Sequence, residues 1–148
     1  MTITIRRAGV ETLDALAPLF DAYRVFYEQE SDLPRARAFM GERLAAGDSV
    51  VFLAEKDGAP VGFTQLYPTF SSVSTGRIFV LNDLYVGAGA RRSGAGRALL
   101  EAAADFGRSQ GAVRLTLTTG RNNTVAQAAY EHLGWRRSDA FHTYNLAL

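Results

Sequence analysis

The sequence predicts a mixed α/β domain: a mostly antiparallel central sheet that contains one parallel pair, flanked by about four helices. Three observations predict it. Two strand-like runs flank Asp57-Gly58, a dipeptide that favours tight hairpins, so antiparallel pairing enters there. The stretch from 79 to 119 reads strand, helix, strand, and a crossover helix joins parallel neighbours. With 148 residues, 47% of them hydrophobic and 21% charged, the chain can bury one core. Cores divide only beyond roughly 250 residues, so a single domain over residues 1–148 is expected.

Residues 2 to 7 alternate, with Ile3 and Ile5 on one face, and read as a first strand. Thr12 is placed to cap a helix whose Leu13, Leu16, Leu19, Phe20, Tyr23 and Tyr27 form an apolar stripe. Pro18 is expected to kink that helix or move its start. Ser31 or Asp32 caps a second helix, with Pro34 in its first turn, Phe39, Met40 and Leu44 as the buried face, and Gly47 as the stop. Strands follow at 50–55 and 60–67, then a polar loop at 68–77 rich in Ser and Thr, then a strand from Arg77 to Val86. A glycine-rich turn leads into a helix from about Arg97 to Ser109, with Leu99, Leu100, Ala103 and Phe106 inward and Gly111 closing it. Val113 to Thr119 reads as a strand, Asn122 or Asn123 caps a short helix that Gly134 stops, and Ala140 to Leu148 reads as a last strand.

Sixteen basic residues against fifteen acidic ones give a net charge of +1, too little for a global field that gathers nucleic acid or anionic membrane. Neither partner is expected. The absence of cysteine excludes disulfides, thiolate zinc sites and a cysteine nucleophile, and two histidines cannot make a three-histidine metal site. No metal is expected. The opening Met1-Thr-Ile-Thr-Ile-Arg-Arg lacks an apolar signal core and no stretch approaches ~18 apolar residues, so a cytoplasmic location is expected.

The informative segment is Asn82-Asp-Leu-Tyr-Val-Gly-Ala-Gly-Ala-Arg-Arg-Ser-Gly-Ala-Gly-Arg97. A strand running through glycines into a helix start binds anions well. The first N–H groups of the helix point outward unsatisfied, its dipole adds partial positive charge, and glycine lets phosphate oxygens approach the backbone. Arg91, Arg92 and Arg97 add formal charge, and arginine suits forked recognition of phosphate. A plain connecting turn would carry the same glycines. A Walker loop counted from Gly89 offers Ala95 and Gly96 where Lys and Ser/Thr are needed, and a dinucleotide fingerprint from Gly87 meets Arg92 instead of its third glycine.

What fits is Arg91-x-x-Gly94-x-Gly96, which resembles the pyrophosphate-binding signature of the GNAT family of acyl-CoA-dependent N-acetyltransferases. The preceding Asn82-Asp83-Leu84-Tyr85-Val86 is similar to the family's central strand. Asn123-x-x-Ala126-x-x-x-Tyr130-Glu-His-Leu-Gly134-Trp135 is similar to its second signature. The likeness covers nearly the whole chain in element order and is nearest the small-amine and histone-type members; polyamine members carry an acidic residue where Asn82 stands. It implies a GNAT-like sheet with the parallel pair splayed at the cofactor site, and acetyl-CoA as cofactor. Leu84, Tyr85, Val86, Arg91, Arg92, Ser93, Gly94, Ala95, Gly96, Arg97, Asn123 and Tyr130 are the implied cofactor contacts.

The chemistry then constrains the remaining residues. A primary ammonium has a pKa near ~10 and must lose a proton before it attacks a thioester. Asp83 is the candidate base, acting through water, with a structural carboxylate as the alternative. The resemblance implies an oxyanion donor among the backbone N–H groups of Leu84 to Val86. It also gives Tyr130 the position that protonates the departing thiolate, a core tyrosine being the alternative. Asn123 contacts the pantetheine arm, caps its helix, or does both. His132 and His142 fall on no motif. Tyr23, Tyr27, Glu28, Glu30 and Asp32, with Asp83, are the candidate acceptor contacts, against the reading of a solvated helix end. The expected activity is direct acetyl transfer from CoA to the primary amine of a small molecule, an amino acid or a protein, by a chain that associates as a homodimer through its last strand. A non-catalytic acyl-CoA-binding regulatory module is the alternative.

Overall fold

A computed structural model describes residues 2–148. In chain order the elements are β1 (Ile3–Arg7), α1 (Leu13–Phe26), α2 (Leu33–Ala46), β2 (Val50–Lys56), β3 (Ala59–Ser71), β4 (Gly76–Val86), α3 (Ala95–Ser109), β5 (Arg114–Thr116) and α4 (Thr124–His132), with 3-10 turns at Val10–Thr12 and Ala88–Ala90. Residues up to Leu117 make one compact unit and Thr118–Leu148 a second.

In the first unit the five strands lie in sequence order. The first four pair antiparallel and β5 pairs parallel with β4. Alternation then sorts side chains between two helical layers. Val51 and Phe63 meet Leu16, Phe20, Ala36 and Met40 from α1 and α2. Ala54 meets Ala95 and Leu99 from α3, with Phe52, Leu84 and Val86 packed alongside. Full burial of a Leu, Met or Phe side chain is worth about 1.5–3 kcal/mol, so these two faces hold the sheet from both sides. Tyr85 falls on the α1–α2 face and Leu84 and Val86 on the α3 face.

The caps show how the local sequence sets the ends. Asp32 accepts from the Arg35 N–H at 3.1 Å with Pro34 in the first turn of α2, and Gly47 closes that helix at φ +65°. Thr12 stands at the start of α1 but does not cap it, because its hydroxyl is taken by the backbone of Gly9 as both donor and acceptor. Pro18 neither starts nor ends α1, which runs through it from Leu13 to Phe26.

Three expectations are corrected. Residues 68–77 are not a loop: β3 and β4 continue as a hairpin through Pro68↔Phe79, Thr69↔Ile78, Phe70↔Arg77 and Ser71↔Gly76. Pairing of β3 with β2 stops at Leu66, so Pro68 sits on an open edge where its missing N–H is tolerated, and the Arg77 guanidinium lies 4.2 Å over the Phe70 ring. The strand expected over 113–119 is confined to Arg114–Thr116, the residues that pair with β4. Ala140 to Leu148 is not a strand. Its alternation is real, but no described strand supplies the ladder that would fix it, and Phe141 and Tyr144 are 88% and 91% exposed.

Candidate active site

The parallel pair is short, and that shapes the site. β5 pairs only with Ile78, Phe79 and Val80, so the edge of β4 beyond them runs on unpaired from Leu81 to Val86. Main-chain groups of Leu84, Tyr85 and Val86 lie on that open stretch. Opposite it, Gly62 pairs with Val86, and a Cβ there would stand 2.6 Å from the Tyr85 carbonyl oxygen; only glycine lets β3 come this close.

From Val86 the chain turns into α3 through the basic glycine-rich segment. Gly94 is the residue before the helix, at φ +91° with open space where a Cβ would project. Ala98 donates to the Gly94 carbonyl as the first helical bond, and the Ala95 N–H is taken by Ser93 Oγ at 3.3 Å. Among the described residues no backbone acceptor one helical turn back takes the N–H groups of Gly96 and Arg97, in the first turn. Arg91 Nε donates to the Val86 carbonyl at 3.2 Å, and its guanidinium lies 6.0 Å from the Phe26 ring. Arg97 pairs with Glu101 one turn on at 2.9 Å. Arg92 has φ +64°. Among the described residues no carboxylate pairs with Arg91 or Arg92. Unclaimed first-turn donors, exposed guanidinium groups and a side-chain-free approach at Gly94 suit an anion such as a phosphate.

Upstream on β4 the register shifts. Gln65 pairs with Asp83 and Leu66 with Leu81, so Asn82 is the extra residue of a bulge. Asp83 is 3% exposed. Its Oδ2 accepts from Gln65 Nε2 at 2.5 Å and its Oδ1 from Asn82 Nδ2 at 2.9 Å. Gln65, fully buried, has its Oε1 oriented by the Ser49 hydroxyl at 2.8 Å. Tyr23 donates from its hydroxyl to the Asn82 carbonyl at 3.3 Å. Burial, and then the Asp83 carboxylate, hold the Tyr23 phenol far above its ordinary pKa, and the same causes push Tyr67 up to about 12. Both phenols stay protonated near neutrality. The Tyr23 ring packs against Tyr27 at 5.0 Å, Phe63 at 5.7 Å and Tyr85 at 6.3 Å.

Of the acceptor residues expected from the sequence, the structure brings Tyr23, Tyr27 and Asp83 into one neighbourhood. Glu28, Glu30 and Asp32 lie elsewhere, in a polar recess between α1 and α2 whose walls also hold Arg24 and Arg35. Asp32 is engaged as a helix cap. Asp21, not among the expected residues, accepts from Ser31 Oγ at 2.6 Å and from the Asp32 N–H at 2.8 Å, and these bonds, Ser31 first, lower its pKa. Sequence reasoning also missed Gln65, Ser49 and Tyr67. The signal for Gln65 was present: an amide inside the apolar run Val61-Gly-Phe-Thr-Gln-Leu-Tyr67 must find a buried partner.

In the second unit Asn123 caps α4, its side chain accepting from the Ala126 N–H at 3.3 Å. The Tyr130 ring lies 6.1 Å from Trp135, whose N–H donates to the Tyr130 carbonyl at 3.0 Å. His132 closes the same helix.

A strand that parts from its parallel neighbour and runs into a basic helix start is the arrangement expected above for an acyl-CoA-dependent acetyltransferase. The chain belongs to the Acetyltransferase (GNAT) family, whose family model matches residues 13–135. It is 49% identical over 144 residues to an uncharacterized N-acetyltransferase, YhfO, of Bacillus subtilis (strain 168), covering 97% of each chain. A crystal structure of a probable acetyltransferase is 42% identical, with a TM-score of 0.92 over 98% of this chain and 97% of that one. The fold is shared at 20% identity by an aminoglycoside N-acetyltransferase, AAC(6')-Iy, in complex with CoA, with a TM-score of 0.82 over 99% of this chain and 96% of that one. The protein is thus an N-acetyltransferase of this family, which uses acetyl-CoA. No described helix is long and apolar enough to cross a membrane.

Proposed function

We propose that the acceptor is a primary amine carried by a cationic small molecule, an amino acid or a protein, and that Asp83 takes its proton. One observation carries this reading: a buried carboxylate, held by two amide N–H donors at a strand bulge, beside the rings of Tyr23 and Tyr27. Donors on both oxygens hold the carboxylate in one orientation. Burial keeps the acceptor nitrogen off the carboxylate itself, so the proton travels through water. The aromatic faces of Tyr23 and Tyr27 suit the carbon chain or the charge of an ammonium, and Glu28, Glu30 and Asp32, in their separate recess with Arg24 and Arg35, act on it only through their long-range field.

Bound acetyl-CoA supplies an acetyl group activated as a thioester. The turn from Arg91 to Arg97, including Arg92, Ser93, Gly94, Ala95 and Gly96, holds the pyrophosphate. The open edge of β4 at Leu84–Val86 receives the pantetheine arm as an added strand and presents an N–H to the oxyanion. By motif likeness Asn123 contacts that arm and Tyr130 protonates the leaving thiolate. With no cysteine in the chain the acetyl group passes directly to the amine. The exposed apolar residues at 141–148 support association as a homodimer, which light scattering at micromolar concentration tests. For the reaction itself, CoA release is followed across diamines, amino acids and histone-type peptides. A cationic amine is expected to be turned over, with kcat falling at least 100-fold in Asp83→Asn. Absence of turnover with every amine, or a wild-type kcat in Asp83→Asn, counts against the assignment.

A further inference from the structure

Asp83 poses a problem that its use as a base makes acute. Both described side-chain partners of this carboxylate donate to it, and a protonated carboxyl at the same place would need an acceptor where Gln65 offers an N–H. A base must nevertheless accept and release a proton in every cycle. On the Oδ1 side the donor is Asn82, one residue away. On the Oδ2 side it is Gln65, and behind Gln65 stands Ser49, whose hydroxyl is a group that can donate or accept.

We propose that Gln65 is a positioning residue whose amide turns over with the charge on Asp83. With Asp83 ionised, Ser49 donates to Oε1 and Nε2 donates to Asp83 Oδ2, as observed. When Asp83 has taken the proton from the ammonium through water, a half-turn about the last side-chain bond of Gln65 points Oε1 at the new Oδ2–H. The same turn points Nε2 at Ser49 Oγ. The Asp83 O–H and the Nε2 N–H then each have an acceptor, and the Ser49 hydroxyl, now accepting, turns its hydrogen away from the amide. Only N–H and O–H bonds change: the proton leaves the amine, resides on the carboxyl, and returns to water after acetyl transfer. One small contact is given up, from Nε2 to the Met40 sulfur at 3.7 Å.

The titratable and charged groups facing this carboxylate are Tyr23 from α1 and Tyr67 from β3, with Arg43 of α2 and Asp48 acting on Tyr67. Burial and the carboxylate raise both phenols, so neither carries a negative charge beside Asp83 in the neutral range.

The inference rests on Asp83 as the base, and its test separates the two. In the intact protein with acetyl-CoA, Gln65→Leu is expected to lower kcat about tenfold or more and to move the acid limb of the kcat profile to higher pH, leaving KM for acetyl-CoA unchanged. Ser49→Ala, a gentler change, moves the limb in the same direction by less. Independently of turnover, the Gln65 side-chain amide resonances are expected to titrate together with the Asp83 carboxyl carbon in the wild type and to lose that pH response in Asp83→Asn. If Gln65→Leu is less stable yet keeps the wild-type limb and kcat, or if the Gln65 resonances do not move with the Asp83 carbon, the amide is only structural. If Asp83→Asn keeps the wild-type kcat and limb, the base assignment fails, and the amide titration still decides whether Gln65 follows the charge.

Discussion

Gly94 allows backbone strain and charge to be separated at the cofactor turn. It precedes α3 at φ +91°, and a Cβ added there meets no atom within 4 Å. Any side chain therefore fits sterically, and the cost of replacement is conformational, about 1–2 kcal/mol for the left-handed region. Asn and Asp tolerate that region better than other residues, and a negative charge at a helix start returns about 0.3–1 kcal/mol. Gly94→Asp should consequently fold nearly as well as Gly94→Asn, with a loss in Tm of a few degrees at about 2–4 °C per kcal/mol. Cofactor binding should separate them sharply. A carboxylate about 6 Å from one phosphate charge, at an effective dielectric constant near 20, is repelled by about 3 kcal/mol, which is about a hundredfold in Kd. Calorimetry with CoA at low salt is expected to show that loss in Gly94→Asp and less than a tenfold loss in Gly94→Asn. The gap should narrow as salt screens the charge. Equal CoA affinity in the two variants would refute the placement of the pyrophosphate at this turn.

Three further outcomes are expected. Tyr130→Phe should keep the fold, since the ring is retained, and lower kcat with little change in KM for acetyl-CoA; a wild-type kcat and pH profile would make its hydroxyl dispensable. The triple change Glu28→Gln, Glu30→Gln, Asp32→Asn should raise KM for a cationic acceptor severalfold at low salt, and unchanged acceptor kinetics would confine recognition to Asp83 and the rings. It should cost little stability, because asparagine replaces aspartate at the cap of α2. Tyr67 releases its proton at about 12 when folded and near ~10 when unfolded. The unfolded chain is the first to lose the proton, so stability present below pH ~10 should decline between about 10 and 12. Thermal melts should show a smaller alkaline loss in Tyr67→Phe than in the wild type.

The fold was legible wherever local chemistry and periodicity agree. Asp32 with Pro34, Gly47, Asn123 and the Asp57-Gly58 turn all act as their residue types dictate. It was illegible where pairing decides. Pro68 to Gly76 has the composition of a loop, yet each strand offers the other a ladder, and Arg77 covers Phe70. Ala140 to Leu148 has the alternation of a strand and finds no described ladder to join. The turn from Arg91 into α3 was legible because Gly94 and the helix start fix its backbone. The surroundings of Asp83 were not, because Gln65 reaches it from another strand and is itself held by Ser49, in the connection between α2 and β2.

The bulge at Asn82 explains why counting alone could not have oriented that carboxylate. Along β4, Phe79 packs on Phe106 of α3, and strict alternation from Phe79 through Leu81 would send Asp83 to the α3 side, among Leu99 and Val86. The extra residue shifts the count by one. Leu81 stays opposite Leu66, and Asp83 comes opposite Gln65, on the face that Tyr23 and Phe63 share. A carboxylate on the other face would meet aliphatic groups of the α3 cluster and stay neutral or be expelled. On this face it meets an amide, a phenol-lined wall and the acceptor side of the strand. The same insertion pushes the Asn82 carbonyl toward the Tyr23 hydroxyl, tying α1 to the strand at the point where the open edge of β4 begins. One inserted residue thereby puts a buried carboxylate on the α1–α2 face of a strand whose edge is free and whose far end runs into the basic helix start.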